Sequence, residues 1–266
     1  MDLYEGIHRR KSIQKFSVMT LDQQVVEKIK NQATSLPKLK CSDKIELHFI
    51  TDGTEITEKL STMGRITAPH YVLVTGNRNE SCLLSAGYMT EYLVLYLTSL
   101  GIGTSYMGSV MDRLTATQLI GSGVESDVFA TVAFGPSRNA HEVYRNGEAI
   151  KRAPLDSLIL NGYPTPDQRT ILEAVRLAPS FMNGQNWRFE LDDDLILLYQ
   201  ENIPRFGNKF FAENGYFDMG IALAHIEIAA THLGYECEMY HDQETTGHPE
   251  YIQTIKLIRN NKENQL

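Results

Sequence analysis

The sequence predicts an α+β fold that is built twice within one chain. The segment TLDQQVVEKIKNQATS, which begins at Thr20, aligns with TPDQRTILEAVRLAPS, which begins at Thr165. Two long apolar helical segments, each closed by a glycine, follow in the same order. The identical pairs are Thr20/Thr165, Asp22/Asp167, Gln23/Gln168, Ala33/Ala178 and Ser35/Ser180 in the first block, and Gly87/Gly220, Thr98/Thr231, Leu100/Leu233 and Gly101/Gly234 in the second. Because both blocks recur in one order, duplication explains them better than chance capping signals do.

The first copy reads as helices and strands in alternation. A short helix with Leu3, Ile7 and Arg10 precedes a capping box at Thr20 and Gln23 that predicts a second helix. We then expect strands over 44–51 and 70–76, an apolar helix from Leu83 to Leu100 with Gly101 as its C-cap, a strand over 128–135, and a polar loop over 139–153.

The second copy repeats this plan. Thr165 and Gln168 form another capping box, with Pro166 at the first helical position. WRFELD and LILLYQ predict two strands around a DDD turn, and FDMGIALAHIEIAATHLG predicts the second long helix. YECEMYHD and YIQTIKLIR are the last predicted strands.

Composition excludes several classes of protein. The 266 residues suffice for one large or two small domains, and 42% hydrophobic with 22% charged residues is ordinary for a globular chain. A net charge of −8 argues against general nucleic-acid binding. Cys41, Cys82 and Cys237 form no CxxC pair, which fits a reducing compartment. The N-terminus lacks a signal-peptide core, and the apolar run 92–103 is too short to span a bilayer, so we expect a cytoplasmic protein without a membrane partner.

Most motifs with a known chemistry are absent. The sequence has no GxGxxG, P-loop, HExxH or GxSxG. His225 and His232 lie seven residues apart on one helical face, and without a third ligand they are interpreted as core or interface histidines. The sequence therefore predicts no metal site.

Three features remain: the basic segment RRKSIQK, the glycine-rich turn GIGTSYMG and the polar loop APSFMNGQNW. Flavin mononucleotide (FMN) would use all three, because its phosphate needs cations and hydroxyls and its flat ring needs close backbone approach. The alternatives are a solvated basic helix end for RRKSIQK and a simple helix stop for the loop.

The sequence resembles the FMN-dependent nitroreductase superfamily, in particular its single-chain, internally duplicated branch of the Thermotoga type. IHRRKSIQKF is similar to the family's RRSxRxF signature, and APSFMNGQNW to its APSxxNxQPW loop. LGIGTSYMG and KRAPLDSLI resemble its LGLGTxWxG and RxPLxEV segments. The resemblance implies a three-layer α+β fold with a mixed or antiparallel sheet, in which the halves 1–160 and 161–266 form a pseudo-dimer.

The resemblance also implies which residues bind FMN. In the family, one subunit supplies the phosphate anchor and the other the APSxxN loop; here both lie in one chain, so a homodimer is not required and a monomer suffices. The implied cofactor-binding residues are Arg10, Lys11, Ser12, Gln14, Met107, Gly108, Lys151, Arg152, Pro179, Ser180 and Asn183. Arg10 and Ser12, with Lys151 and Arg152, are expected to hold the phosphate. Met107 and Gly108 are expected near the ring, and Ser180 and Asn183 are expected to contact the flavin from the second half.

The implied activity is transfer of hydride from NADH or NADPH, bound transiently, through FMN to a nitroaromatic or quinone acceptor. No catalytic side chain is expected, because the flavin carries the chemistry. Gln14 stands where the family has a second basic residue, and Asn186 replaces a proline. Gln14 supports the alternative hypothesis of a non-catalytic flavin-binding protein.

Overall fold

The computed structural model describes residues 1–41, 44–53, 56, 66–107, 113–120, 127–147, 150–201, 209–242 and 248–260, with the side chains of 113 and 209–213 excepted. The chain divides into two compact units, Met1–Glu148 and Ala149–Leu266. The predicted halves, 1–160 and 161–266, were defined by sequence duplication and stay a prediction. No helix in the described ranges is long and apolar enough to cross a membrane.

The first unit contains a four-stranded antiparallel sheet. Its helices are α1 (Leu3–Arg9), α2 (Gln23–Ala33), α3 (Glu80–Ser99) and α4 (Arg113–Ile120), and its strands are β1 (Glu46–Ile50), β2 (His70–Gly76), β3 (Gly103–Tyr106) and β4 (Asp127–Gly135). The strand order is β1-β2-β4-β3. Strand β2 is buried at every residue, and α3 buries most of its length, which explains their continuous apolar patterns.

The second unit contains a five-stranded sheet of order β5-β6-β7-β9-β8. Its strands are β5 (Ile159–Asn161), β6 (Trp187–Asp192), β7 (Leu195–Gln200), β8 (Tyr235–Tyr240) and β9 (Glu250–Arg259), and its helices are α5 (Pro166–Arg176) and α6 (Lys209–His232). Strand β5 pairs parallel to β6, whereas the other neighbours pair antiparallel. Trp187 and Phe189 of β6 are fully buried.

The predicted duplication is visible in the topology. Each unit repeats the order helix, two strands, long helix, two strands, with α4 inserted between β3 and β4 in the first unit. Leaving β5 aside, the four strands of each unit are arranged first-second-fourth-third. The ends of the long helices also match: the Leu100 amide donates to Tyr96 and Leu97, and the Leu233 amide donates to Ala229 and Ala230. The duplication therefore extends to individual hydrogen bonds.

Both long helices end at a glycine, as the sequence predicts. Gly101 and Gly234 have φ of 74° and 84°, the left-handed conformation that favours glycine at this position. Their amides donate to Thr98 and Thr231 respectively, which satisfies one terminal carbonyl in each helix.

The two predicted capping boxes differ in outcome. The second is confirmed: the Gln168 amide donates to the Thr165 hydroxyl, and the Thr165 amide donates to Gln168 Oε1. The first is wrong, because α2 begins at Gln23 and its N-cap is Asp22, whose carboxylate accepts from the Gln24 amide. Pro166 fixes the helix start in the second copy, and the first copy lacks it.

Histidine 225 is a core residue, as predicted. It is fully buried on α6, and its Nδ1 lies 2.8 Å from the carbonyl oxygen of Ala174 on α5. His232 is instead exposed, so it is not a core residue, and the interface alternative stays a prediction for it. The two histidines lie on one helical face, but His232 is the last residue of α6.

Candidate functional site

The basic N-terminal segment lies beside β3 in the first unit. Ser12 forms a parallel bridge with Thr104, and the Ile13 amide donates to the Thr104 carbonyl at 2.9 Å. A Cβ added to Gly103 would lie 2.9 Å from Ile13 Cγ1, so the glycine permits this close approach. RRKSIQK therefore begins at the end of α1, and its residues Ser12 and Ile13 pair with β3.

Arg10 is a buried cation in this segment. The residue is 4% exposed, and its side chain has one hydrogen bond, from Nη1 to Ser12 Oγ at 3.5 Å. Among the described residues no carboxylate pairs with it. A buried charge is normally paired, since removing it from water is costly. The arrangement thus leaves positive charge available to an anionic ligand.

Two other arginines near Arg10, Arg145 and Arg9, use their side chains in contacts with the protein. Arg145 donates to the carbonyls of His8 and Arg10 at 3.1 and 2.9 Å. Arg9 is paired with Glu5 at 3.0 Å and lies 4.6 Å above the Tyr144 ring. These two guanidinium groups are committed to protein contacts, which distinguishes them from Arg10.

The other predicted residues of the first unit have different exposures. Lys11 is half-buried, and Ser12 and Gln14 are exposed. The Met107 amide donates to the Thr131 carbonyl at 2.8 Å, so that N–H is already paired within the sheet. Gly108 lies outside the described residues.

The polar loop of the second unit adopts an unusual backbone. It contains a 3₁₀ turn over Phe181–Asn183, and Met182, Asn183 and Gln185 have φ of 50°, 57° and 52°. Non-glycine residues in this region cost on the order of 1 kcal/mol or more each. A simple helix stop does not require three such residues, so other contacts must hold the loop.

Lys151 and Arg152 supply part of that support. Arg152 donates to Asn183 Oδ1 at 2.6 Å and to the carbonyls of Leu177 and Ala178 at 3.2 and 3.0 Å. The Asn183 amide nitrogen donates to the Lys151 carbonyl at 3.1 Å. The structure thus brings these three predicted residues together in the second unit. The assignment of Lys151 and Arg152 to the phosphate stays a prediction.

Gln185 connects the loop with the segment after Arg152. Its Oε1 accepts from the Ala153 amide at 2.8 Å, and its Nε2 donates to the Asn183 carbonyl at 3.1 Å. Its own amide donates to Ser180 Oγ at 3.1 Å. Pro179 and Ser180 are half-buried, so the predicted loop residues Pro179, Ser180 and Asn183 occupy one ordered turn.

A buried carboxyl group on α6 also supports the loop. Both oxygens of Asp218 accept from the Phe181 amide, at 3.1 and 2.9 Å, and the residue is 4% exposed. Burial away from water raises the pKa of Asp218 to about 8, although the Phe181 hydrogen bond opposes the rise. Asp218 therefore keeps its proton at neutral pH for most of the time.

The sequence did not lead us to predict three residues that support the Arg10 segment or the polar loop: Asp218, Gln185 and Arg145. One signal was visible for Asp218: it is a lone acid in the apolar run FDMGIALA, and a buried acid needs a partner. Gln185 also had a signal, since it matches the glutamine of the APSxxNxQPW motif. Arg145 had none, because it donates to the backbone carbonyls of His8 and Arg10, which are distant in sequence. The described residues contain no group of three or more His, Cys, Asp or Glu that could hold a metal ion.

Comparison with solved structures shows which fold the chain has. The chain has the fold of a "putative nitroreductase" from Thermotoga maritima, with a TM-score of 0.65 at 22% identity over 97% of this chain and 94% of that one. A nitroreductase family protein from Clostridium novyi gives 0.45 at 20% identity over 53% and 88%. An FMN-dependent nitroreductase from Clostridium difficile gives 0.46 at 16% identity over 53% and 91%.

The family follows from the sequence. The profile of the family described as "Putative TM nitroreductase" matches residues 2–230, and the chain belongs to that family. No curated protein matches the chain closely enough to name a relative.

Proposed function

We propose that the chain is an FMN-dependent NAD(P)H oxidoreductase that reduces nitroaromatic or quinone-type acceptors. Membership of the nitroreductase family supports an oxidoreductase. When bound, FMN supplies the hydride-accepting and hydride-donating ring. The observation that carries the proposal is the Arg10 guanidinium, buried and without a carboxylate partner among the described residues.

The donors around Arg10 fit a phosphate group. The guanidinium presents several N–H donors, and Ser12 Oγ lies 3.5 Å from one of them. A phosphate dianion bound there would neutralise the buried charge, and charge-assisted hydrogen bonds of this kind are stronger than neutral ones. Lys11 is adjacent in sequence and adds a second cation. We assign the phosphate to Arg10, Ser12 and Lys11.

The loop of the second unit fits contacts to the polar edge of a flavin ring. Asn183 is exposed, and its amide, although bonded to Arg152 and Lys151, keeps one lone pair and one hydrogen for a ligand. Because the turn is held by Gln185 and Asp218, these groups would be preorganised rather than ordered on binding.

The experiment that tests the proposal is anaerobic reduction of the purified, FMN-loaded chain. We expect yellow protein that bleaches with NADH or NADPH and regains its colour with a quinone or a nitroaromatic compound. Yellow protein that neither NADH nor NADPH bleaches would favour the second candidate, a non-catalytic flavin-binding protein. Gln14, which replaces a basic residue of the family motif, is the feature that supports this candidate. Protein that takes up no FMN would contradict both.

We expect one FMN per chain. Only the first copy carries the RxS anchor at Arg10 and Ser12, and only the second carries the PSxxN loop at 179–183. Flavin absorbance against protein concentration measures the ratio, and light scattering measures the mass of the flavin-bound species. Two flavins per chain, or flavin bound only by a dimer, would contradict this expectation.

Replacing Asn183 with alanine should weaken FMN binding and destabilise the loop. The change removes hydrogen bonds to Arg152 and Lys151, each worth about 0.5–1.5 kcal/mol, more where a charge takes part. Met182→Ala is the matched control, since Met182 has a positive φ like Asn183 and its side chain is 73% exposed. Thermal shifts with and without FMN separate the two effects: an equal loss in both states would show that Asn183 serves only the fold.

A further inference from the structure

We propose that Cys41 and Cys82 are a redox-active pair that forms a reversible disulfide within the first unit. Their sulfur atoms lie 2.9 Å apart, although the cysteines are 41 residues apart in sequence. In the structure the two sulfurs are in hydrogen-bond contact and are not joined by a disulfide. This site goes beyond the proposed oxidoreductase activity and does not depend on flavin.

The surrounding contacts hold the two cysteines in position. Cys82 lies in the first turn of α3, where its amide donates to the Asn79 side chain at 2.9 Å. One turn later, the Ser85 hydroxyl donates to the Leu39 carbonyl at 3.3 Å and fixes the segment that leads to Cys41. These hydrogen bonds hold the segments that carry the two sulfurs.

The exposures of the two thiols suggest an order of reaction. Cys41 is half-buried and Cys82 is fully buried, so an oxidant reaches Cys41 first. The Cys41 thiolate attacks oxidised glutathione, forms a mixed disulfide and releases one glutathione thiolate. The Cys82 thiolate then attacks Cys41 Sγ and releases the second. The two protein thiols lose two protons and two electrons in total, and one oxidised glutathione becomes two reduced ones.

Cys237 provides a contrast within the same chain. It lies on β8 in the second unit, and burial, with the charges of Glu227 and Glu236, raises the pKa of its thiol to about 12. A thiol that stays protonated is a poor nucleophile. Cys41 and Cys82 belong to the first unit and Cys237 to the second.

The cross-link would brace the connection between α2 and β1 against α3. Cys41 lies in that connection, and the disulfide closes a loop of about forty residues, which restricts the unfolded chain. We expect the oxidised protein to melt roughly 5–10 °C above the reduced protein.

The test uses the full chain under native conditions in a glutathione redox buffer. After quenching, the remaining thiols are alkylated in denaturant, and the intact mass and linked peptides are measured. We expect alkylation of Cys237 only after oxidation and of all three cysteines after reduction. Cys237→Ser should still form the cross-link, whereas Cys41→Ser should not.

Glutathione adducts on Cys41 without a peptide that links Cys41 and Cys82 would overturn the proposal, as would full alkylation after exposure to excess oxidised glutathione. A cross-link that leaves the melting temperature unchanged would overturn the bracing role.

Discussion

Replacing Arg10 with alanine should weaken FMN binding by about 1.5–3 kcal/mol, a factor of roughly ten to a hundred or more. The variant loses a buried guanidinium that, among the described residues, has one side-chain hydrogen bond, at 3.5 Å to Ser12, so a bound phosphate would lose its main partner. The melting temperature of the flavin-free protein should fall little, because the Arg10 amide still donates to Gly6. A flavin titration by fluorescence quenching measures the first effect and a thermal melt the second.

Arg9→Ala is the matched control, since it removes the same charge one residue earlier from a side chain already paired with Glu5. We expect a much smaller effect on FMN than for Arg10→Ala. Equal losses would mean that the segment attracts the phosphate only through its general charge.

Conversely, Gln14→Arg should tighten FMN binding, because it adds a cation on an exposed position of the same segment. Weaker binding there would remove Gln14 from the phosphate site.

Replacing Asp218 with alanine should cost about 1–3 kcal/mol of the free energy of unfolding, because the Phe181 amide loses the acceptor that both carboxyl oxygens provide. Asp218→Asn keeps an acceptor of similar size and needs no bound proton, so it should be at least as stable as the wild type at pH 7. Urea denaturation of the three proteins measures these differences. If the asparagine variant loses as much as the alanine variant, acceptance from Phe181 is not what Asp218 contributes.

The wild-type protein and the Asp218→Asn variant should differ in how their free energy of unfolding depends on pH. The pKa of Asp218 is raised from 3.8 to about 8 by burial, so between these values the folded state holds a proton that the unfolded state has released. Stability should therefore fall as pH rises through that window, by up to about 1.4 kcal/mol per pH unit from this group. Asp218→Asn should lack this component. Parallel profiles for both proteins would contradict the assignment.

Local sequence patterns predicted most elements of the fold correctly. Strand β2 coincides with the predicted segment 70–76, and the glycine C-caps at Gly101 and Gly234 appear as expected. These features depend on short-range periodicity and on residues with distinctive backbone preferences. The capping box at Thr20 failed because Asp22, two residues later, is also a strong N-cap, and propensity does not rank such neighbours.

The sequence by itself determined the duplicated α+β plan, the family resemblance and the candidate residues, because these follow from repeated patterns along the chain. Only the tertiary structure decided how those residues are used. It paired the RRKSIQK segment with β3, left Arg10 buried without a carboxylate among the described residues, and joined Arg152 to Asn183. It also placed Asp218 under the loop and Cys41 beside Cys82. Such contacts join residues distant in sequence, and burial and hydrogen-bond partners exist only once the chain has folded.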